Sequence, residues 1–138
     1  MRSSFRTLAL GLALVAAGCG DSGPPVYPVK GKVVFKGKGN MRQLVGGMVR
    51  FQATSDPKLT PVGEIEDGGV FTLGTVMDTK GRPGVPAGTY KARVEPRRFD
   101  GEEPARGAIH PKYQDFDQSK LSFTVPVSGE IVIEVEAP

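Results

Sequence analysis

One thiol, one imidazole and scattered carboxylates are all that this chain offers for covalent or metal chemistry. Cys19 is the only cysteine and His110 the only histidine in 138 residues. No internal disulfide can form, and no Cys/His zinc cluster can be assembled. A lone thiolate is still a nucleophile able to accept an alkyl or acyl group. Glu102-Glu103 places two carboxylates side by side, but neighbours on an extended chain point apart, which leaves no concerted acid–base pair. Asp115-x-Asp117-x-Ser119 sets oxygen ligands at alternate positions, as calcium loops do. An EF-hand starting at Asp115 would need Gly at its sixth place and Glu at its twelfth. Lys120 and Pro126 stand there, so the expectation is a solvated, self-capping loop. No serine sits in a G-x-S-x-G turn, and Ser128-Gly129 reads as the turn joining the last two strands. The residues therefore predict no catalytic centre, no metal and no cofactor.

The cations are the remaining polar resource. Lys30, Lys32, Lys36 and Lys38, together with Lys91, Arg93, Arg97 and Arg98, predict basic exposed faces that could meet anionic head groups or acidic glycans. Arg97, Arg98 and His110 are the candidate ligand contacts. Overall the chain has 18 Lys plus Arg against 15 Asp plus Glu, a net charge of +3. Arg2 and Arg6 lie in a segment that reads as a removable leader, and without them the charge falls to +1. A near-neutral remainder carries no footprint for nucleic acid, despite a sequence pI near 9.1.

Cys19 gains meaning from what precedes it. Residues 1–18 comprise a basic start, the apolar run from Leu8 to Ala17, and Gly18. Ten apolar residues are too few to span a bilayer, which takes about 20, so the segment reads as an export signal that is removed. Ala16-Ala17-Gly18-Cys19 resembles the bacterial lipoprotein signal, with Ala16 where leucine is preferred. That resemblance implies diacylglyceryl transfer to the Cys19 thiol and a membrane anchor of two or three acyl chains, against the marginal hold of one. An ordinary signal-peptidase site after Val15-Ala16-Ala17 is the competing reading, and it would release a soluble protein. Gly20 follows the cysteine, so the aspartate that retains some lipoproteins on the inner membrane is missing.

Positioning then falls to the rest of the chain. Residues 19–28 read as a flexible tether and 29–138 as one domain. Gly and Pro number 19 and 12, just under the level of about 25–30% that signals disorder, and they punctuate short apolar alternations, an all-β signature. Seven strands are predicted: Val29–Phe35, Met48–Ala53, a weak Val62–Ile65, Val70–Thr75, Thr89–Glu95, and two centred on Phe123 and Ile133. The fifth alternates without error, with Tyr90, Ala92 and Val94 inward and Lys91, Arg93 and Glu95 outward. Two antiparallel sheets packed face to face would bury these alternate side chains. The connection 96–120 is long for a compact domain, and such loops are commonly functional or mobile.

Asp67-Gly68-Gly69-Val70-Phe71-Thr72-Leu73 resembles the D-G-x-F-x-L hairpin of carboxypeptidase-regulatory-like, transthyretin-like domains. Gly84-Val85-Pro86-Ala87-Gly88-Thr89-Tyr90-Lys91 resembles their G-x-P-x-G-x-Y strand entry. Ile109-His110-Pro111-Lys112-Tyr113-Gln114-Asp115 with Ser119-Lys120-Leu121 is similar to a stretch of small lipoproteins abundant in planctomycete-type bacteria, with His110 inserted. The likeness covers residues 29–137 and implies a seven-stranded antiparallel Greek-key sandwich of the transthyretin-like (prealbumin-like) kind. Enzymes on related sandwiches use several histidines, or two Tyr and two His on iron, and a single histidine builds neither set. The sequence thus predicts an exported, lipid-anchored, non-catalytic β-sandwich that binds or scaffolds at the cell envelope. Its partners would be the membrane and an unknown envelope protein or glycan. The alternative is a glycan- or peptide-binding accessory domain serving a separate envelope enzyme, with the 96–120 loop as its contact surface.

Overall fold

The computed structural model describes residues 23–77, 80–97 and 107–138. Cys19, Arg98 and the Glu102-Glu103 pair lie outside the described residues. The described chain is all-β. Its strands are β1 Val26–Tyr27, β2 Lys30–Phe35, β3 Met48–Ala53, β4 Val62–Glu64, β5 Val70–Thr72, β6 Gly74–Met77, β7 Lys80–Pro83, β8 Val85–Pro86, β9 Gly88–Glu95, β10 Ser122–Val125 and β11 Ile131–Val135. Three short 3-10 turns, Met41–Gln43, Asp67–Gly69 and Pro111–Gln114, are the only helical pieces described.

The strands form a large sheet in the order β10-β9-β3-β4-β6-β7, a small sheet in the order β11-β2-β5, and a two-residue ladder of β1 with β8. Alternation along each strand decides what becomes core. In β9 the side chains of Tyr90, Ala92 and Val94 are buried, and in β3 those of Val49, Phe51 and Ala53. Register sets Phe51 opposite Ala92 and Phe123 opposite Tyr90. The Phe51 ring therefore stacks on Phe123 at 5.4 Å between centroids and lies 5.9 Å from Tyr90. Val33 from β2, Phe71 from β5 and Ile131, Ile133 and Val135 from β11 join the same buried cluster from the small sheet. Each fully buried side chain of this size contributes about 1.5–3 kcal/mol by leaving water, so the shared layer makes the two sheets one β-sandwich-like body. At one margin the sheets come very close: a Cβ on Gly63 of β4 would lie 2.4 Å from the Thr72 carbonyl oxygen of β5, an approach that only glycine allows.

Several expectations are corrected. The sandwich is not wholly antiparallel: β11 runs parallel to β2, with Ile133 opposite Val33. Alternation is the same for either direction of pairing, so the sequence could not distinguish them. The predicted strand Val70–Thr75 is two strands. Val70–Thr72 pairs with β2 in the small sheet, and the chain changes sheets at Leu73 before Gly74–Met77 joins the large one. The turn at Asp67-Gly68 is present, with Gly68 at φ 78°, but it is no hairpin, because the strands it joins belong to different sheets. The β6–β7 hairpin was not anticipated, since Lys80-Gly81-Arg82-Pro83 carries no apolar alternation. Finally, the end of the segment read as a tether is held by the body: Val26 and Tyr27 pair with Pro86 and Val85, and Tyr27 packs on the core.

The long connection is partly built in. Among its described residues Ala108, Ile109, Tyr113 and Ser119 are buried. The Ser119 hydroxyl donates to the Ala92 carbonyl at 2.7 Å, and the His110 amide donates to the Glu136 carbonyl at 2.8 Å. The stretch from 107 to 120 is thereby fastened to both β9 and the chain beyond β11.

Candidate functional site

The sequence-predicted contacts occupy separate surroundings. His110 is exposed and caps the 3-10 turn Pro111–Gln114, its Nδ1 accepting from the Lys112 amide at 3.2 Å. Arg97 is exposed just beyond β9, and its aliphatic stem lies along Gly46, where a Cβ would meet the arginine Cδ at 3.1 Å. Arg98 and Cys19 are outside the described residues.

What the fold brings together is a cluster on the outer face of the large sheet that the sequence had not assembled. Outward positions of β3 and β9 put Arg50 directly opposite Arg93. Two guanidinium groups side by side repel, and Glu95 relieves them: its Oε1 accepts from Arg50 Nε at 3.2 Å and forms an ion pair with Arg93 Nη2 at 2.5 Å. The Arg93 guanidinium also lies 4.7 Å from the centroid of the Phe116 ring, a cation–π contact. Arg93 Nε is buried with no hydrogen-bond partner among the described residues. One step along β9, Lys91 pairs with Asp117, and this hydrogen bond and its charge hold the Asp117 carboxyl below its ordinary range.

Beside Phe116 the surface opens into a hollow of about 360 Å³ lined by Thr54, Lys91, Phe116, Asp117, Lys120, Leu121 and Ser122. Lys120 adopts φ 58°, a conformation that costs a side-chain-bearing residue about 1–2 kcal/mol. The hollow sets Phe116 and Leu121 beside two lysines, two hydroxyls and the carboxylate of Asp117, which pairs with Lys91. A larger groove of about 680 Å³ lies at the other sheet between Lys30, Glu66, Phe71, Val127 and Glu130 among others. Its charged lining is one lysine and two glutamates, with no histidine or cysteine.

Nothing in these sites resembles a metal centre. No group of three or more His, Cys, Asp or Glu able to hold a cation occurs among the described residues. The oxygens of Asp115-x-Asp117-x-Ser119 are directed to separate tasks. Asp115 Oδ1 caps the amides of Asp117 and Gln118 at 2.8 and 2.9 Å, Asp117 pairs with Lys91, and Ser119 bonds to β9. Phe116, Arg50 and Glu95 were missed as a group because only strand register and the docking of the 107–120 segment make them neighbours. The outward alternation of Arg93 and Glu95 was the one available signal. No protein-family model matches the chain, and comparison with curated proteins and with solved structures returned no match.

Proposed function

We propose that this chain is an exported lipoprotein, acylated on Cys19, whose transthyretin-like β-sandwich acts by binding or scaffolding at a bacterial cell envelope and not by catalysis. The observation that carries the reading is the succession of a basic start, ten apolar residues and Ala16-Ala17-Gly18-Cys19. A thiol in that context is a nucleophile for diacylglyceryl transfer, and several acyl chains hold a protein on a bilayer where one does not. The transthyretin-like arrangement belongs to the same proposal and rests on the sequence motifs at 67–73 and 84–91. The partners are the membrane itself and an envelope protein or glycan.

The test is the intact mass of protein extracted in detergent from a bacterial host. A chain starting at residue 19 with added acyl mass is expected. An unmodified chain starting at residue 18 overturns the anchor.

A second reading, an accessory module that binds an acidic glycan for a separate envelope enzyme, is favoured by the hollow at Phe116, where Lys120 stands beside the Lys91–Asp117 pair. Binding of sulfated or uronic-acid glycans that is lost on Lys91→Ala with Lys120→Ala, and unchanged by Arg97→Ala with Arg98→Ala, would establish it and would place the contact away from the residues named from sequence.

A further inference from the structure

We propose that the free edge of β10 pairs with the same edge of a second copy of this chain, joining two bodies through one antiparallel ladder centred on Phe123. The inference concerns the folded body and holds whether or not Cys19 is acylated.

Hydrogen-bond parity decides what this edge offers. The Ala92 amide donates to the Leu121 carbonyl at 3.1 Å, and Phe123 and Val125 follow at the same parity, opposite Tyr90 and Gly88. In an antiparallel ladder the residues between bonding positions turn their amides and carbonyls to the other side. Ser122 and Thr124 therefore aim their N–H and C=O groups away from β9, and β10 is the last strand of its sheet. Nothing among the described residues bonds to those groups. Charge, proline and short length are the features that discourage pairing at an edge, and the other three edges carry them. Arg82 and Pro83 stand in β7 and Glu134 in β11, while β5 is three residues long. By contrast, β10 reads Ser-Phe-Thr-Val, without a charge or a proline.

Self-complementarity identifies the occupant. A twofold axis normal to the sheet at Phe123 sets Ser122 opposite Thr124 of the second copy, and Thr124 opposite its Ser122. Each of these pairs exchanges both of its backbone hydrogen bonds, so every outward amide and carbonyl of the two residues is satisfied. Phe123 then faces Phe123, and Leu121 faces Val125, at the closer spacing of non-bonded pairs, where aromatic and aliphatic neighbours attract. Phe123 and Leu121 are only partly buried in the single chain, packed on the margin of its core, and the ladder covers what they leave in water. On the outer face the exposed Ser122 and Thr124 meet hydroxyl to hydroxyl. No pair opposes like charges, and the ladder stops where Pro126, which has no amide, would face Lys120. A foreign strand would satisfy the same amides, but the match of side chains on both faces belongs to a second copy. A ladder this short makes a small, reversible interface.

The experiment sediments the full-length protein in density-matched non-ionic detergent, from low to high micromolar concentration. The protein mass per particle is expected to double across that range. Thr124→Pro removes an outward amide and no bond to β9, a change that an edge strand tolerates. It is expected to hold the mass at one chain with unchanged circular dichroism. A single-chain mass at every concentration, which would leave the edge to a different protein, overturns the proposal. A doubled mass that survives Thr124→Pro in a folded chain overturns it as well. Register is read separately by oxidation in the Cys19→Ala background, where no other thiol competes. Ser122→Cys mixed with Thr124→Cys is expected to form a disulfide-linked pair several-fold faster than either variant alone, because opposed positions lie within disulfide reach. Equal rates overturn the pairing, and this readout stands on its own should Thr124→Pro fail to fold.

Discussion

The Tyr90 hydroxyl donates a 2.7 Å hydrogen bond to the carbonyl oxygen of Pro86, four residues back along the chain, and both groups are buried. This bond fixes the bend between β8 and β9 and explains why a tyrosine, not a phenylalanine, occupies the first inward position of the longest strand. Tyr90→Phe keeps the ring and strands the Pro86 oxygen without a donor. A loss of about 1–3 kcal/mol in folding stability is expected by urea unfolding, with the same secondary structure by circular dichroism. No loss would mean that water reaches the oxygen.

The same hydroxyl sets a pH dependence. Burial holds its pKa above the ordinary value of 10.0, because the charged phenolate is disfavoured away from water. The folded state then keeps its proton where the unfolded state gives it up, so stability falls as pH rises above about 10. Tyr90→Phe is expected to flatten that alkaline decline relative to the parent protein, measured by thermal melting across the range. An identical decline in both would assign it to other groups.

Gly31 lies where β2 passes beneath the Phe71 ring. A Cβ there would lie 2.3 Å from Phe71 Cζ and 2.7 Å from the Ile131 carbonyl oxygen, contacts that force movement in both neighbouring strands. Gly31→Ala is expected to cost about 1–3 kcal/mol, read by chemical denaturation. Adding Phe71→Leu should recover only the part due to the ring, since the clash with backbone remains. Full recovery would show that the β2–β11 pair can shift.

Lys120 is the one described residue other than glycine with a positive φ, 58°, in the turn that leads Ser119 back under β9. Lys120→Gly removes the steric cost of that conformation, partly offset by the greater freedom of glycine in the unfolded chain. A gain of up to about 1 kcal/mol is expected, together with weaker binding of acidic glycans. Loss of stability would mean that the lysine side chain holds the turn.

Glu95 separates two facing guanidinium groups that are about one-third exposed. Glu95→Ala is expected to destabilise by about 1 kcal/mol at low salt, somewhat less at high salt. Arg50→Ala in the same chain should restore part of the loss by removing the repulsion it exposes. Additive losses would show that the two arginines do not sense one another.

Strands whose apolar residues alternate cleanly were legible in the sequence: β3, β9 and β11 bury the side chains that their alternation predicts. Pairing partners were not legible, because alternation records which face is inward and carries nothing about the neighbour or its direction. That is why the parallel β2–β11 pair and the change of sheet at Leu73 emerged only in three dimensions. The edge strand β7 escaped notice for a related reason: a strand at a sheet edge need not fill a core position on every second residue. The cluster around Phe116 depended on this same missing information. Arg50 and Arg93 are 43 positions apart and meet only through register, while Phe116 reaches them from a segment that looks like a loop. His110 was legible as a residue of note, and its imidazole caps a turn.

Leu73 holds a singular place in the architecture. Its amide donates to the Val29 carbonyl at 2.9 Å, on the run into β2, and its own carbonyl accepts from the Gly84 amide at 3.3 Å, just past β7. Its side chain is buried between the two layers. A single residue is thus riveted to both leaves of the body at once. Neither leaf can peel off without breaking one of the two bonds that this residue makes.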